Sequence, residues 1–341
     1  MIKKFGKPID VVKFKGSMLN TDTLRALIEK YKQTSLFYIR TPNVKGYQPA
    51  RYATQRTGLW PRLYTRYPIT DAISAELYIL TNTRIWELKK YYASSKEYSK
   101  QSYSDKSTYR YRARETSLPK IEFISKFITA SQKRWLDVGS GIGDVVYNLN
   151  KKGFDARGLE VSEESIKFSK KMFNIGLENK TVYDLLKEDG PGSFDVISYF
   201  GVIEHMPEPL KQISCAVRLL KPGGILVLEV PSANSFSVMA DIFFPDSVVR
   251  QMVPAFHIML FSEKSLLHLS KRFNLKPEAM WFLGLDFFNF ILHLSLRIPG
   301  FMESDLCKKI LHMNNDIQSV FDSNEMSDEI IFVCRKGAKH G

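Results

Sequence analysis

Three glycines at alternate positions follow a short apolar segment that carries a carboxylate. These residues are Asp137, Gly139, Gly141 and Gly143, and a helix-like pattern begins directly after them. Glycine lets a backbone turn sharply and approach a ligand closely, and the first turn of a helix offers free N–H groups. The combination predicts a ligand site where a strand passes into a helix.

The spacing of these glycines departs from that of a dinucleotide-binding turn. A nicotinamide fold has G-x-G-x-x-G, which would put the third glycine at position 144, where this chain has Asp. A second carboxylate, Glu160, closes the next strand-like segment. Its ionised oxygens only accept hydrogen bonds, so it could bind donor groups of a ligand. The alternative interpretation is an unliganded strand-turn-helix corner.

Two histidines are candidate general bases. His205 follows the strand-like segment 194–200, and His257 lies in a segment that precedes a helix-like pattern. Imidazole titrates near neutral pH, and ligands of parallel sheets bind beyond the carboxyl ends of the strands. Each histidine could instead pack or cap locally, and Glu204 could either orient His205 or end the strand.

Strands and helices that alternate along the chain would position these residues. From residue 118 onward, strand-like and helix-like segments alternate, as in DARGLEVS followed by SEESIKFSKKMF. Such alternation predicts an α/β fold with a parallel, doubly wound sheet and helices on both faces.

Four motifs in order resemble the class I S-adenosylmethionine-dependent methyltransferases over about residues 118–335. The motifs are the acidic residue before G-x-G-x-G, DARGLEVS, FDVISYFGVIEHMPEP and KPGGILVLEVPS. The third resembles the branch that contains ubiquinone-biosynthesis O-methyltransferases and many sugar and small-molecule methyltransferases. The resemblance implies a Rossmann-like, seven-stranded sheet whose last strand is antiparallel.

The resemblance also implies that the cofactor is S-adenosylmethionine. The expected cofactor-binding residues are Asp137, Gly139, Gly141, Gly143, Glu160, Asp184, Phe200 and Gly201. In such proteins the glycine turn lines the methionine part and Glu160 would bind the ribose hydroxyls. Asp184 would contact the adenine amino group after a third strand, TVYDLL, or would be only a turn residue.

Methyl transfer to a hydroxyl needs a base, so His205 and His257 are the predicted catalytic residues. The metal-binding version of the ubiquinone enzymes has a further glutamate three residues before the Glu-His pair, where this chain has Gly201. Because magnesium prefers six oxygen ligands, two remaining ligands make a poor site, and the sequence predicts no required metal. The Asn/Asp-Pro-Pro-aromatic tetrad of DNA methyltransferases does not follow the fourth strand, which disfavours nucleic acid as substrate.

Charge divides the chain into two regions. Residues 1–134 contain 27 Lys and Arg against 10 Asp and Glu, a net +17, whereas the remainder carries −4. We therefore expect a basic, Tyr-rich and Arg-rich accessory region at 1–117, with one helix at about 72–92, and a methyltransferase domain at 118–336. Residues 286–325 are expected as a helical insertion before the last strand. The basic region suggests a phosphate-bearing acceptor, RNA as a weaker alternative, or only a solvated cationic face.

The predicted partner is a small-molecule substrate, such as a nucleotide sugar or a glycan intermediate. Two apolar segments, 236–253 and 280–298, leave open a peripheral membrane contact with a quinone or lipid-linked acceptor. A non-catalytic protein that binds S-adenosylmethionine is a third hypothesis. Three widely spaced cysteines and the absence of a signal-like apolar segment at the start predict a cytoplasmic location.

Overall fold

The computed structural model describes residues 1–5, 106–206, 208–243 and 259–338, together with Gln251, His257 and three strand segments at 37–39, 50–52 and 78–79. Most of the predicted accessory region therefore lies outside the described residues. This includes most of the helix expected at 72–92, of which residues 78–79 form a short strand instead.

The described elements are numbered in chain order. The strands are β1 (Ile2–Phe5), β2 (Phe37–Ile39), β3 (Ala50–Tyr52), β4 (Tyr78–Ile79), β5 (Arg134–Val138), β6 (Asp155–Leu159), β7 (Phe194–Phe200), β8 (Leu220–Pro231), β9 (Met259–Leu260), β10 (Leu275–Leu283) and β11 (Glu329–Lys336). The helices are α1 (Lys106–Tyr111), α2 (Leu118–Ile124), α3 (Asp144–Lys151), α4 (Glu163–Phe173), α5 (Val182–Glu188), α6 (Pro209–Leu219), α7 (Phe236–Phe243), α8 (Glu263–Arg272), α9 (Asp286–Arg297), α10 (Asp305–His312) and α11 (Asn314–Ser323). Tighter or wider helical turns occupy Arg112–Ser117, Ser125–Phe127 and Ile203–His205.

Seven strands form the central sheet in the order β1-β10-β11-β8-β7-β5-β6. Strands β5 to β8 run parallel, and β11 runs antiparallel to both of its neighbours, β8 and β10. The predicted Rossmann-like, seven-stranded α/β sheet with an antiparallel last strand is therefore confirmed.

One edge of this sheet differs from expectation. The segment expected as the third strand, TVYDLL, forms helix α5 because Thr181 and Asp184 cap each other across its first turn. The Thr181 hydroxyl accepts a hydrogen bond from the Asp184 N–H at 3.4 Å, and the Asp184 carboxylate accepts one from the Thr181 N–H at 2.9 Å. The seventh strand is β1, which pairs in parallel with β10 at the other edge. A piece of the predicted accessory region thus belongs to the sheet.

Side chains alternate between two core layers along β8. Leu226 and Leu228 pack in the layer that contains α6 and α8, whereas Ile225 and Val227 pack in the layer that contains α2 and α3. Because strand side chains alternate, Glu229 continues the second row and faces α2. A carboxylate therefore stands where the pattern of the strand would put another apolar side chain.

Helices α9, α10 and α11 lie between β10 and β11. Because β11 is antiparallel, it starts at the edge of the sheet where β8 and β10 end, so these helices begin and end at the carboxyl edge. The apolar segment 280–298 is the end of β10 followed by the largely buried α9, which packs against α7 and α11. Among the described residues, none of the helices combines the length and the apolar character needed to cross a bilayer.

Candidate active site

The predicted glycine turn connects β5 to α3. Gly139, Gly141 and Gly143 have φ angles of 71°, 54° and 78°, in the left-handed region that favours glycine. A Cβ atom on Gly139 would lie 2.6 Å from a methyl group of Val202, and one on Gly143 would lie 2.6 Å from the Ser169 hydroxyl. The turn therefore depends on glycine for its conformation and, at these two positions, for its close packing.

Glu160 points towards this turn. Its Oε2 accepts a hydrogen bond from the Gly141 N–H at 2.7 Å, and its Oε1 accepts from the N–H groups of Val161 and Ser162, each at 2.8 Å. Burial raises the pKa of Glu160, while the three backbone hydrogen bonds oppose that shift. Carboxylate oxygens have further lone pairs, so this group can still accept bonds from a ligand's hydroxyls.

Asp137 lies buried near the end of β5. Its Oδ1 accepts a hydrogen bond at 2.7 Å from the Ser198 hydroxyl, which in turn accepts one from the Trp135 indole N–H at 2.9 Å. Burial raises the pKa of Asp137 to about 7; the negative charge of Asp144 adds to this, whereas the Ser198 hydrogen bond and the positive charge of Lys120 oppose it. A bound cation would favour the ionised form of this carboxyl group.

The remaining predicted cofactor residues have different settings. Phe200 ends β7 and is half-buried, and Gly201 follows with a φ of 65° and donates its N–H to the Glu229 carbonyl at 3.1 Å. Asp184 is part of the cap of α5, and its pKa is lowered by the hydrogen bonds from Thr181. A contact of Asp184 with adenine stays a prediction.

The structure brings His205 and His257 together, although they are far apart in sequence. The centroids of their rings are 4.8 Å apart, and His205 Nε2 lies 3.5 Å from Glu204 Oε1. His257 Nδ1 lies 3.0 Å from the carbonyl oxygen of Gln251. Because a carbonyl oxygen only accepts hydrogen bonds, Nδ1 carries the proton in this contact. The unprotonated Nε2 of a neutral His257 has the chemistry of a base or a metal ligand.

Glu204 is buried beside these histidines with only 2% of its surface exposed. Burial raises its pKa well above the ordinary value, and the negative charges of Glu329 and Glu229 add to the effect. Its Oε2 has no hydrogen-bond partner among the described residues. This carboxyl group therefore favours its neutral form and is left incompletely bonded by the protein.

Glu204, His205 and His257 could also hold a metal ion. One ligand atom from each lies within 4.8 Å of the other two. Two imidazoles and a carboxylate suit zinc or a similar transition metal better than magnesium. The sequence argument against a metal counted only two ligands, because the proximity of His257 could not be read from its position. That no metal is required stays a prediction.

Sequence reasoning missed an ion pair next to these residues. Lys120 on α2 donates to both oxygens of Glu229, at 2.7 and 2.6 Å, and its Nζ lies 5.4 Å from the centroid of the Phe200 ring. The available signal was the charged Glu229 within the apolar run GGILVLEVP.

The comparisons with known proteins agree with this geometry. A family model described as a methyltransferase domain matches residues 109–279, half of the chain. The ubiquinone biosynthesis O-methyltransferase of Dechloromonas aromatica is 28% identical over 167 residues, which cover 47% of this chain and 72% of the relative. That of Xylella fastidiosa is 30% identical over 143 residues, which cover 40% of this chain and 58% of the relative. The match thus spans little more than half the length of several curated relatives.

Among solved structures, a methyltransferase from Archaeoglobus fulgidus aligns with a TM-score of 0.44 at 16% identity, covering 65% of this chain and 94% of the other. The family match includes the glycine turn, Glu160 and His205. All three glycines of the turn have left-handed backbone angles, and the Gly141 N–H donates to Glu160. The chain therefore belongs to the methyltransferase-domain family and is a class I S-adenosylmethionine-dependent methyltransferase.

Proposed function

We propose that this protein transfers a methyl group from S-adenosylmethionine to a hydroxyl oxygen of a small molecule. The observation that carries the proposal is the placement of two imidazoles and a buried carboxyl group directly beyond β7. A hydroxyl is a weak nucleophile until its proton is removed, and an imidazole is suited to do so near neutral pH.

The residues that would hold the cofactor fit its chemistry. S-adenosylmethionine supplies a methyl group on a positively charged sulfur. Glu160 would accept hydrogen bonds from the ribose hydroxyls, and the glycine turn would lie along the methionine part. Asp137 would be held in its ionised form by the nearby positive charge, despite its burial.

The base step uses His205 or His257. The lone pair of the acceptor oxygen forms a bond to the methyl carbon as the carbon–sulfur bond breaks, the electron pair stays on sulfur, and an imidazole nitrogen takes the hydroxyl proton. The Gln251 carbonyl would keep His257 in the tautomer whose Nε2 can accept that proton. Glu204 Oε1, which lies 3.5 Å from His205 Nε2, would accept a hydrogen bond from the imidazolium that forms on His205.

Three glutamates interact near His205: the negative charges of Glu229 and Glu329 act on Glu204, and Lys120 forms a salt bridge with Glu229. This supports an uncharged hydroxyl at the reacting centre. The curated relatives are named as O-methyltransferases, which favours oxygen over nitrogen or carbon as acceptor atom.

A second candidate places the acceptor in a membrane. The relatives' names refer to ubiquinone, and the inserted helices expose apolar side chains at Leu306, Met313 and Val320. Flotation with liposomes of phosphatidylethanolamine and phosphatidylglycerol tests this candidate. A protein that stays at the bottom of the gradient would remove it.

The experiment for the proposed function has two readouts. Calorimetric titration with S-adenosylhomocysteine measures the cofactor site, and Glu160→Ala should weaken binding by about 10-fold or more because a charged hydrogen-bond acceptor is lost. Transfer from S-adenosylmethionine with a tritiated methyl group is then measured with catechol, UDP-glucose and a metabolite extract as acceptors. Tight binding without transfer to any of them would favour the non-catalytic hypothesis.

A further inference from the structure

Polar residues form a row on one face of the sheet, at its carboxyl edge. Asp137 on β5, Glu229 on β8 and Glu329 on β11 each continue an apolar row that faces the layer of α2 and α3. Neighbouring strands lie about 4.8 Å apart, so Glu229, two strands from Asp137, is displaced by about 10 Å across the sheet. Because Glu160 lies on the opposite side of β5, Glu229 is on the side away from the ribose position.

The Lys120–Glu229 pair interacts by charge with one predicted cofactor residue, Asp137, and with Glu204 beside His205. Glu229 is the register partner of Phe200, and its charge raises the pKa of Glu204. The charge of Lys120 in turn lowers the pKa of Asp137. The pair therefore acts electrostatically both on Asp137 of the predicted cofactor site and on Glu204 beside the histidines.

Burying this ion pair costs desolvation free energy, so a functional role would account for its presence. The two side chains are 11% and 9% exposed, and the residues around Lys120 on α2, Ile121, Phe123 and Ile124, belong to the apolar core. A buried ion pair is often no more stabilising than apolar residues of similar volume. A purely structural contact between α2 and β8 would be met as well by two apolar side chains.

The ammonium group of Lys120 has one N–H that does not bond to Glu229. Lysine has three donors, and Glu229 accepts from two of them. Within the described part of the chain, the Lys120 ammonium group makes these two hydrogen bonds and no third. The bidentate contact fixes the position of Nζ, so the remaining donor has a defined place beside the Phe200 ring.

We propose that Lys120, held by Glu229, is a catalytic residue that donates a hydrogen bond to the acceptor oxygen receiving the methyl group. This inference rests on the proposed function and adds a hydrogen-bond donor for the acceptor oxygen to it. As the imidazole takes the hydroxyl proton, the ammonium stabilises the negative charge that develops on the oxygen. The ammonium keeps its own three protons throughout, and no other bond changes.

The test compares Lys120→Met with a double variant that removes the whole pair, Lys120→Met with Glu229→Met. The single variant leaves a buried carboxylate without its partner and should lower the melting temperature, whereas the double variant restores an apolar contact. Both should lower the rate of methyl transfer to catechol by about 100-fold or more, as the loss of a charge-stabilising donor does in other enzymes. Both should also bind S-adenosylhomocysteine within about twofold of the wild-type protein.

The matched control is Lys221→Met, which breaks the bridge from Lys221 to Asp195, 2.8 Å long, at the opposite end of β8. It should leave transfer unchanged. The second readout is the pH profile of transfer, in which the apparent pKa of the acceptor hydroxyl should rise when Lys120 is replaced, and Lys120→Arg should partly restore it.

Two results would overturn the inference. A double variant that is stable and transfers at the wild-type rate would make the pair structural, and a loss of S-adenosylhomocysteine binding in proportion to the loss of transfer would assign Lys120 to the cofactor. Failure of the proposed function looks different: the wild-type protein itself would then transfer to none of the hydroxyl probes, and the inference would fall with it.

Discussion

Two groups of buried and half-buried polar residues lie near the carboxyl edge of the sheet, and they differ in whether every buried oxygen has a hydrogen-bond partner among the described residues. The acceptor cluster consists of Lys120, Glu204, His205, Glu229, His257 and Glu329. The insertion cluster consists of Ser237, Asp286, Asn289, Gln318 and Asp328 and connects α7, α9 and α11 to the start of β11.

In the insertion cluster, the residues bond to one another. Asp286 accepts bonds from the Ser237 N–H, the Gln318 side chain and the Asp328 N–H, at 2.9, 3.0 and 2.9 Å. In the acceptor cluster, Glu204 Oε2 is buried and accepts none among the described residues. Buried polar groups are normally hydrogen-bonded, because leaving one unpaired costs free energy. None of the five insertion-cluster side chains has an unpaired buried atom among the described residues, so we expect this cluster to stabilise the fold and the acceptor cluster to bind a ligand.

The largest effect that would sharpen this comparison is on catalysis. Replacing both His205 and His257 with Gln should lower the rate of methyl transfer by about 100-fold to 10,000-fold, the range in which general bases contribute. The melting temperature and the affinity for S-adenosylhomocysteine should change little. Transfer assays on the folded variant, with calorimetry as the binding check, measure all three.

His293 is the matched control for that experiment. It is fully buried, and its Nε2 lies 3.0 Å from Asp241 Oδ1 where α9 packs on α7. His293→Gln should lower the melting temperature and leave the rate per folded molecule near that of the wild-type protein. If this variant instead lost turnover without losing stability, the division between the two clusters would be wrong.

The next effect is on stability. Asp286→Ala removes an acceptor of three hydrogen bonds from buried donors and should lower the free energy of unfolding by about 3 kcal/mol or more. Glu204→Gln removes a carboxyl group that already favours its neutral form, so it should change this free energy by less than about 1 kcal/mol. Urea unfolding followed by circular dichroism measures both. Equal losses in the two variants would contradict the comparison.

A smaller effect is expected in the pH dependence of stability. Burial raises the pKa of Asp322, next to Gln318 and Ser327, from 3.8 to about 6. A raised carboxyl pKa stabilises the fold below the unfolded value of 3.8, and this contribution is lost as the pH rises through about 6. The free energy of unfolding of the wild-type protein should therefore fall more between pH 4 and pH 7 than that of Asp322→Asn. Parallel curves for the two proteins would show that Asp322 titrates normally.

The same contrast explains what the sequence could predict. The glycine turn and Glu160 directly follow two consecutive strands, so their pattern is local in the sequence, and the structure places Glu160 in hydrogen-bond contact with the turn. The side chains of the acceptor cluster come from α2, the ends of β7 and β8, the start of β11 and the segment around His257. Their meeting depends on the order of strands in the sheet, which a single sequence does not specify.

The segment TVYDLL was wrongly expected to form a strand, and the sequence contains a local signal for the helix that it forms. Thr181 and Asp184 have the spacing of a capping box at a helix start, but the following Val182, Leu185 and Leu186 also fit a short apolar strand. The strand β1 gave no comparable signal, because four residues pair with β10, which lies more than 270 positions away along the chain. Such pairing depends on tertiary packing.

The smallest expected effect is that of metal removal on the rate of methyl transfer. A large effect would contradict the comparison of the two clusters. The ligand atoms of Glu204, His205 and His257 are close enough to bind one ion, yet the proposed base step needs a nitrogen lone pair that a metal would occupy. Methyl transfer after dialysis against EDTA should stay within about twofold of the untreated rate, and added zinc should inhibit. Loss of transfer with EDTA and its recovery with zinc or manganese would mean that the acceptor cluster is completed by an ion. Glu204→Gln would then abolish metal binding in calorimetry, whereas His293→Gln would not.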